Sequence, residues 1–102
     1  MTTRVLAYAK IDLADAAAFE EAFKETTRMV RGTPGHITDE LLLQDDEPGS
    51  YIVLSEWETK EQFLAWVDDP IHMEATTAIR PYWAGRVQRK IFDIRVRLSD
   101  LD

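Results

Sequence analysis

The sequence contains no cysteine and no asparagine, and it has only two histidines, His36 and His72. Without cysteine the chain has no disulfide framework, no thiolate nucleophile and no thiolate ligand for a metal. Acidic residues outnumber basic ones by 19 to 12, which gives a net charge of −7. This charge argues against non-specific binding to nucleic acid or to an anionic membrane.

Long apolar runs are missing as well. No unbroken apolar run exceeds five residues, whereas a membrane-spanning helix needs about 20. The N-terminal stretch leads into an alternating pattern and lacks the apolar core and cleavage site of a secretory signal. With 102 residues, 45% of them hydrophobic, residues 1–102 are predicted to form one soluble, cytoplasmic domain.

Alternating apolar residues predict four strands. They are expected at Val5–Ile11, His36–Gln44, Tyr51–Trp57 and Val87–Leu98. The second and third strands flank a turn at residues 45–49, so we expect them to pair as a hairpin.

A helix is predicted between the first two strands, from about Leu13 to Val30, because its apolar residues recur at helical spacing. Asp12 with Asp15 three residues later is an acidic variant of the capping box. The glycines and proline of residues 32–35 end this helix.

Two further helices are predicted between the third and fourth strands. Thr59 with Gln62 forms a capping box that opens the first of them. Asp69 followed by a proline opens the second, which is expected to run to about Ala78 and to be stopped by Pro81.

The resulting order, β-α-β-β-α-α-β, predicts an α+β, ferredoxin-like fold. Right-handed crossovers turn this order into a four-stranded antiparallel sheet with helices on one face. All four strands carry apolar residues on both faces, so the uncovered face would expose an apolar patch. We therefore predict a homodimer in which the open faces or edges of two sheets meet; a monomer with an apolar surface is the alternative.

One stretch of the chain resembles a known family. It reads W-E-x-x-x-x-F over residues 57–63, has an aromatic residue at Trp66, and continues with P-x-H at residues 70–72. With the preceding Gly35, the strand order and the length, it resembles the antibiotic biosynthesis monooxygenase family across nearly the whole chain. The resemblance implies a dimeric α/β barrel.

The resemblance also implies a reaction. Family members of the oxygenase branch oxidise phenolic polyketides with O2 and use no metal or flavin, so the predicted function is a cofactor-independent monooxygenase of natural-product biosynthesis. Its partners are a small aromatic substrate and O2. No dinucleotide-binding glycine motif, P-loop lysine or H-E-x-x-H motif is present. A cyclase or isomerase that uses the same pocket without O2, and a non-catalytic dimeric accessory protein, are the alternatives.

Two departures from the family pattern concern cofactors and polar groups. In the haem-degrading branch a histidine ligates iron four residues after the position of His72, and this chain has Thr76 there, although Trp66 matches the tryptophan of that branch. No cofactor or metal is therefore predicted. Quinone-forming relatives use an asparagine, which this chain lacks; the candidates to replace it are Tyr8, Gln44 and Ser55.

The predicted catalytic residues are His72 and Tyr8. His72 falls at the third position of a short helix, where the positive helix end favours the neutral imidazole that a general base needs; a surface or capping histidine is the alternative. Tyr8 lies on a strand that has small alanines on its other face. A phenol there can donate to a substrate oxygen at a cavity wall, or it faces a dimer partner.

The predicted substrate-binding residues are Trp66, Phe23, Trp57 and Arg80. The aromatic side chains either stack on a planar substrate or pack the core. Arg80 pairs either with a phenolate or with an acid of the partner. His36, beside a turn, is expected to be solvated. Residues 80–97 hold six of the twelve basic residues and one acid, which indicates a dimer contact or a solvated edge.

Overall fold

The computed structural model describes residues 2–83 and 86–101. Within them the strands are β1 (Thr3–Lys10), β2 (His36–Leu43), β3 (Ser50–Trp57) and β4 (Val87–Asp93). The α-helices are α1 (Ala16–Val30), α2 (Lys60–Asp68), α3 (Pro70–Ala75) and α4 (Arg80–Trp83). Short 3-10 turns occupy Leu13–Asp15 and Leu98–Asp100.

The four strands form one sheet in the order β2-β3-β1-β4, and every neighbouring pair is antiparallel. This confirms the predicted ferredoxin-like α+β fold and the β2–β3 hairpin. β1 is central, with Ala7 opposite Val53 on one side and Arg89 on the other. The last strand, β4, therefore pairs with the first and forms one edge of the sheet.

Two buried clusters lie between the helices and one face of the sheet. The first consists of Ala9, Ile11, Phe19, Ala22, Tyr51 and Ile79. The second consists of Val5, Val30, Trp57, Phe63 and Ala75. Phe19 of α1 and Trp57 of β3 are fully buried, at 0% exposure each, because helix spacing and strand alternation bring their side chains to the same interior.

The start of α1 differs from the prediction. α1 begins at Ala16 after a 3-10 turn, and neither Asp12 nor Asp15 makes a side-chain capping hydrogen bond. Asp12 instead accepts from Arg86 Nη1 at 3.2 Å. The Asp12 carboxylate, which the local pattern predicted as a helix cap, thus forms an ion pair with a residue that is distant in the sequence.

The helical region after β3 contains three helices where the sequence predicted two. The caps are confirmed: Thr59 accepts from the Gln62 amide, and Asp69 accepts from the amide two residues later. The helix that Asp69 opens ends at Ala75, however, and the next two residues, Thr76 and Thr77, donate their hydroxyls back to the carbonyls of His72 and Met73. Pro81 lies within the first turn of α4, a position that tolerates proline, and does not stop a helix.

β4 is shorter than the predicted Val87–Leu98 strand. It ends at Asp93, which pairs with Thr3, the first residue of β1. The Ile94 amide still donates to the Thr2 carbonyl at 2.8 Å, and after it the chain leaves the sheet. In the segment that follows, Val96 and Leu98 are 68% and 84% exposed.

The second face of the sheet, which we call the open face, carries the side chains that alternate with those of the buried clusters. Its apolar members are Leu6, Tyr8, Leu42, Ile52, Leu54 and Phe92. Leu42 and Phe92 are 40% and 47% exposed. No helix in residues 2–83 and 86–101 is long and apolar enough to cross a membrane.

Candidate functional site

A cavity of about 290 Å³ lies between the helices and the sheet, lined mainly by apolar side chains. Its floor is formed by Ala7 of β1 with Val53 and Ser55 of β3. The small side chain of Ala7 leaves space that a larger residue would fill. The volume lies at the lower end of the roughly 300–1,000 Å³ typical of ligand pockets, which suits a compact ligand.

The cavity brings together five of the six predicted site residues. They are His72, Trp66, Trp57, Phe23 and Arg80. They come from α3, α2, β3, α1 and α4, so the site depends on the packing of the whole helical layer against the sheet.

Tyr8 is the predicted site residue that the structure places elsewhere. Because side chains alternate along β1, Ala7 faces the cavity and Tyr8 faces the opposite side of the sheet. There Tyr8 lines a second cavity, of about 350 Å³, together with Gln44. Lys90 Nζ lies 5.7 Å from the centre of the Tyr8 ring. Of the three candidates to replace the missing asparagine, only Ser55 lines the cavity of His72.

His72 is held at the cavity by the start of α3. The Asp69 carboxylate accepts from the Ile71 amide at 2.9 Å and fixes the first turn. Burial, followed by the positive charges of Arg89 and Arg80, lowers the pKa of His72 from its ordinary value of 6.5. The imidazole is therefore neutral near pH 7 and has a nitrogen lone pair that can take a proton.

Aromatic rings form one wall of the cavity beside His72. The Trp66 and His72 ring centres are 4.4 Å apart in an edge-to-face arrangement, and those of Trp66 and Trp57 are 5.6 Å apart. Trp57 Nε1 donates to Ser55 Oγ at 3.0 Å. Trp66 Nε1 is buried and bonds to no residue that the structure describes.

Two guanidinium groups line the cavity. Arg80 donates to Thr76 Oγ1, at 3.1 Å from Nε, and to the Met73 carbonyl. Arg89 lies over the Phe63 ring, 5.2 Å from its centre. Sequence reasoning missed Arg89 as a site residue, because it treated the basic stretch as a dimer contact or edge. Arg89 lies on the same strand face as Val87 and Ile91, which are two residues away on either side. That spacing was the available signal.

A second polar group was also missed. His36, expected to be solvated, has a side chain only 7% exposed and pairs with the equally buried Asp39, Nε2 to Oδ1 2.8 Å. Thr27 Oγ1 of α1 donates to Asp39 Oδ2 at 2.6 Å. Asp39 lines the cavity, so the expectation for His36 was wrong: packing of α1 on β2 buries this segment.

The side chains that could ligate a metal are dispersed in the described residues. In the described parts of the chain, no three His, Cys, Asp or Glu side chains form a group that could hold a metal ion. Thr76, at the position of the iron-ligating histidine of the haem-degrading branch, donates its hydroxyl to the His72 carbonyl at 2.8 Å. That hydroxyl is engaged within the helix end.

The family model described as antibiotic biosynthesis monooxygenase matches residues 2–78. The chain belongs to the antibiotic biosynthesis monooxygenase family.

Two curated Streptomyces proteins are similar to this family member. Protein SchA of Streptomyces halstedii is 32% identical over 85 residues, which are 81% of this chain and 22% of SchA. A 42.8 kDa protein of the whiE locus of Streptomyces coelicolor is 34% identical over 56 residues, 55% of this chain and 14% of that protein.

Solved structures of family members have the same fold. A variant of SnoaB, a cofactor-independent oxygenase from Streptomyces nogalater, superimposes with a TM-score of 0.81 at 23% identity, covering 95% of this chain and 96% of SnoaB. A candidate antibiotic biosynthesis monooxygenase from Caulobacter crescentus CB15 gives a TM-score of 0.79 at 25% identity, covering 93% and 91%. The matched residues span only about a fifth of the length of SchA.

Proposed function

We propose that this family member is a cofactor-independent monooxygenase that oxidises a phenolic, polyketide-type aromatic compound with O2. The observation that carries the proposal is a neutral, half-buried His72 whose ring contacts Trp66 inside an apolar cavity. Family membership and the fold shared with SnoaB support it. The aromatic wall suits a flat ring system, and the neutral imidazole suits proton removal.

The first step is proton removal. His72 takes a proton from the phenol or from the activated methylene group of the substrate, and its pair of electrons stays on the substrate. Arg80 and Arg89, whose guanidinium groups line the same cavity, stabilise the resulting anion. Because the cavity is largely apolar, these charges act more strongly than they do in water.

The second step uses O2. The substrate anion is electron-rich and passes an electron to O2; the two radicals combine to a substrate peroxide at the former methylene carbon. His72 returns its proton to the outer oxygen. Loss of the remaining C–H proton then breaks the O–O bond, leaves a carbonyl and expels hydroxide, which takes up that proton to become water. One oxygen atom enters the product and the other leaves in water.

The test is oxygen uptake with an anthrone-type phenol, followed together with formation of the quinone. We expect one O2 to be consumed per quinone formed, with one labelled oxygen atom retained from ¹⁸O2. Product formation at full rate under strictly anaerobic conditions would overturn the oxygenase and indicate an isomerase or cyclase using the same base. Absence of turnover with any phenolic substrate would favour an accessory protein.

We further propose that the working form is a homodimer in which a second copy covers the open face. The support is the row of apolar side chains there, including Leu6 and Leu54, which sit opposite each other on neighbouring strands. Exposed apolar patches of this kind mark interaction surfaces. Covering them adds apolar burial to the small core that a chain of 102 residues can build by itself.

A further inference from the structure

The His72 cavity has hydrogen-bond donors at one side and an acceptor at the other. Arg89 on β4 and Arg80 on α4 offer only hydrogen-bond donors. Asp39 on β2 offers a carboxylate, which accepts. β2 and β4 are the two edges of the sheet, three strand spacings of about 4.8 Å apart. A ligand that fills the cavity therefore meets donors at one end and an acceptor at the other.

The Asp39 carboxylate is oriented by its neighbours. Thr27 Oγ1 donates to one oxygen at 2.6 Å, and His36 Nε2 donates to the other at 2.8 Å. The His36 ring packs against Trp57 at 5.1 Å between centres, so the imidazole is itself held by the aromatic wall. A carboxylate has about four lone-pair sites. Two are used here, and each oxygen retains capacity for a further donor.

We propose that Asp39 recognises a free phenolic hydroxyl of the substrate at the end of the molecule remote from Arg89, with His36 and Thr27 as positioning residues. The inference rests on the proposed function and names its substrate class: aromatic compounds with an unalkylated hydroxyl at that end. A methyl ether there cannot donate, and it places an oxygen lone pair against the carboxylate. Sites built to bind a hydroxyl group discriminate strongly against analogues that lack it.

The test compares the binding of two quinones that cannot be oxidised further: emodin, and physcion, its methyl ether. All three tryptophans of the chain line the cavity, as Trp57, Trp66 and Trp83, so quenching of tryptophan fluorescence reports occupancy. We expect the wild-type protein to bind emodin about tenfold or more tightly than physcion, the scale of one hydrogen bond to a charged group. In Asp39→Asn the ratio should approach one.

Asp45→Asn, in the exposed turn between β2 and β3, is the matched control and should keep the wild-type ratio. Thr27→Val keeps the Asp39 carboxylate but removes one hydrogen bond that orients it. This variant should lower the preference for emodin over physcion to a value between those of the wild-type protein and Asp39→Asn. Equal binding of both quinones by the wild-type protein overturns the inference even if Asp39→Asn fails to fold, and so does an unchanged ratio in a folded Asp39→Asn. Because binding is measured without turnover, a protein that discriminates but consumes no O2 contradicts only the proposed function.

Discussion

At the scale of single residues, His72 is the group on which the proposed chemistry depends most directly. We expect His72→Gln to lower kcat for quinone formation by roughly 10²–10⁴, the usual contribution of a general base. Stability should change little, because the side chain is only half-buried. Oxygen uptake and thermal unfolding measured on the same preparation check this. A folded His72→Gln protein with wild-type kcat would remove His72 from the mechanism.

Burial and the charge of Arg89 together lower the pH range in which His72 can act as a base. Burial and the nearby guanidinium groups lower the pKa of His72, so the acid limb of kcat/KM should lie below the ordinary value. Arg89→Gln removes one of these charges, which should raise the pKa and move the acid limb to higher pH. Titration of the His72 ring protons by NMR measures the same change without turnover.

The same pKa shift has a consequence for stability. Because the folded protein binds the proton on His72 less readily than the unfolded chain does, its stability falls as the pH drops through about 6.5. Arg89→Gln should weaken this dependence. Arg95→Gln, an exposed neighbour in the segment after β4, is the control and should leave both the titration and the stability profile unchanged. Equal titration in the two variants would contradict the role of Arg89.

Residue identity predicted five of the residues that line the cavity but not its polar arrangement. His72, Trp66 and Trp57 lie within a local motif, so their clustering follows from short-range spacing. Asp39 and Arg89 enter the cavity through strand register, which pairs residues distant in the sequence. Tyr8 belongs to the strand whose alternate residues line the cavity, and a shift of one residue puts it on the open face.

At the scale of elements, Gly35 joins α1 to β2 and touches the start of α2. Its φ is +86°, and a Cβ there would lie 2.3 Å from Gln62 Oε1. Gly32, with φ +92°, has open space at the same point. We expect Gly32→Ala to cost about 1–2 kcal/mol, the penalty for a left-handed backbone. Gly35→Ala should cost about 1 kcal/mol more, because it displaces Gln62 from its cap with Thr59.

Urea denaturation of the two glycine variants checks this difference. If both lose the same free energy of unfolding, the contact between Gly35 and Gln62 contributes nothing. A larger loss in Gly32→Ala would contradict the arrangement of the loop itself.

The elements show why local patterns predict some boundaries and not others. The caps at Thr59 and Asp69 form as predicted, since each depends on residues two or three positions away. The end of β4 depends on where β1 begins, and the cap expected of Asp12 is lost to Arg86. Long-range pairing decides both outcomes, and no short window of sequence contains it.

At the scale of the whole molecule, the proposed dimer depends on the open face. Leu54→Glu places a charge among its apolar side chains, opposite Leu6, and should convert the proposed dimer to a monomer. Leu64→Glu, on α2 in the helical layer and 38% exposed, is the matched control and should leave the mass unchanged. Light scattering after size exclusion measures both. A wild-type protein that is monomeric at micromolar concentration would contradict the proposal.

The central position of β1 affects how the chain reaches this fold. β1 is synthesised first, yet its partners β3 and β4 begin only at Ser50 and Val87. Folding that depends on such distant pairings is slow, because the entropy cost of closing the loop comes before the stabilising contacts form. On the ribosome, β1 therefore remains unpaired until β3 has been synthesised, and its second edge remains open until β4 follows. During that interval its apolar side chains are exposed to misassociation with other nascent chains, and a chaperone that binds β1 would shield them.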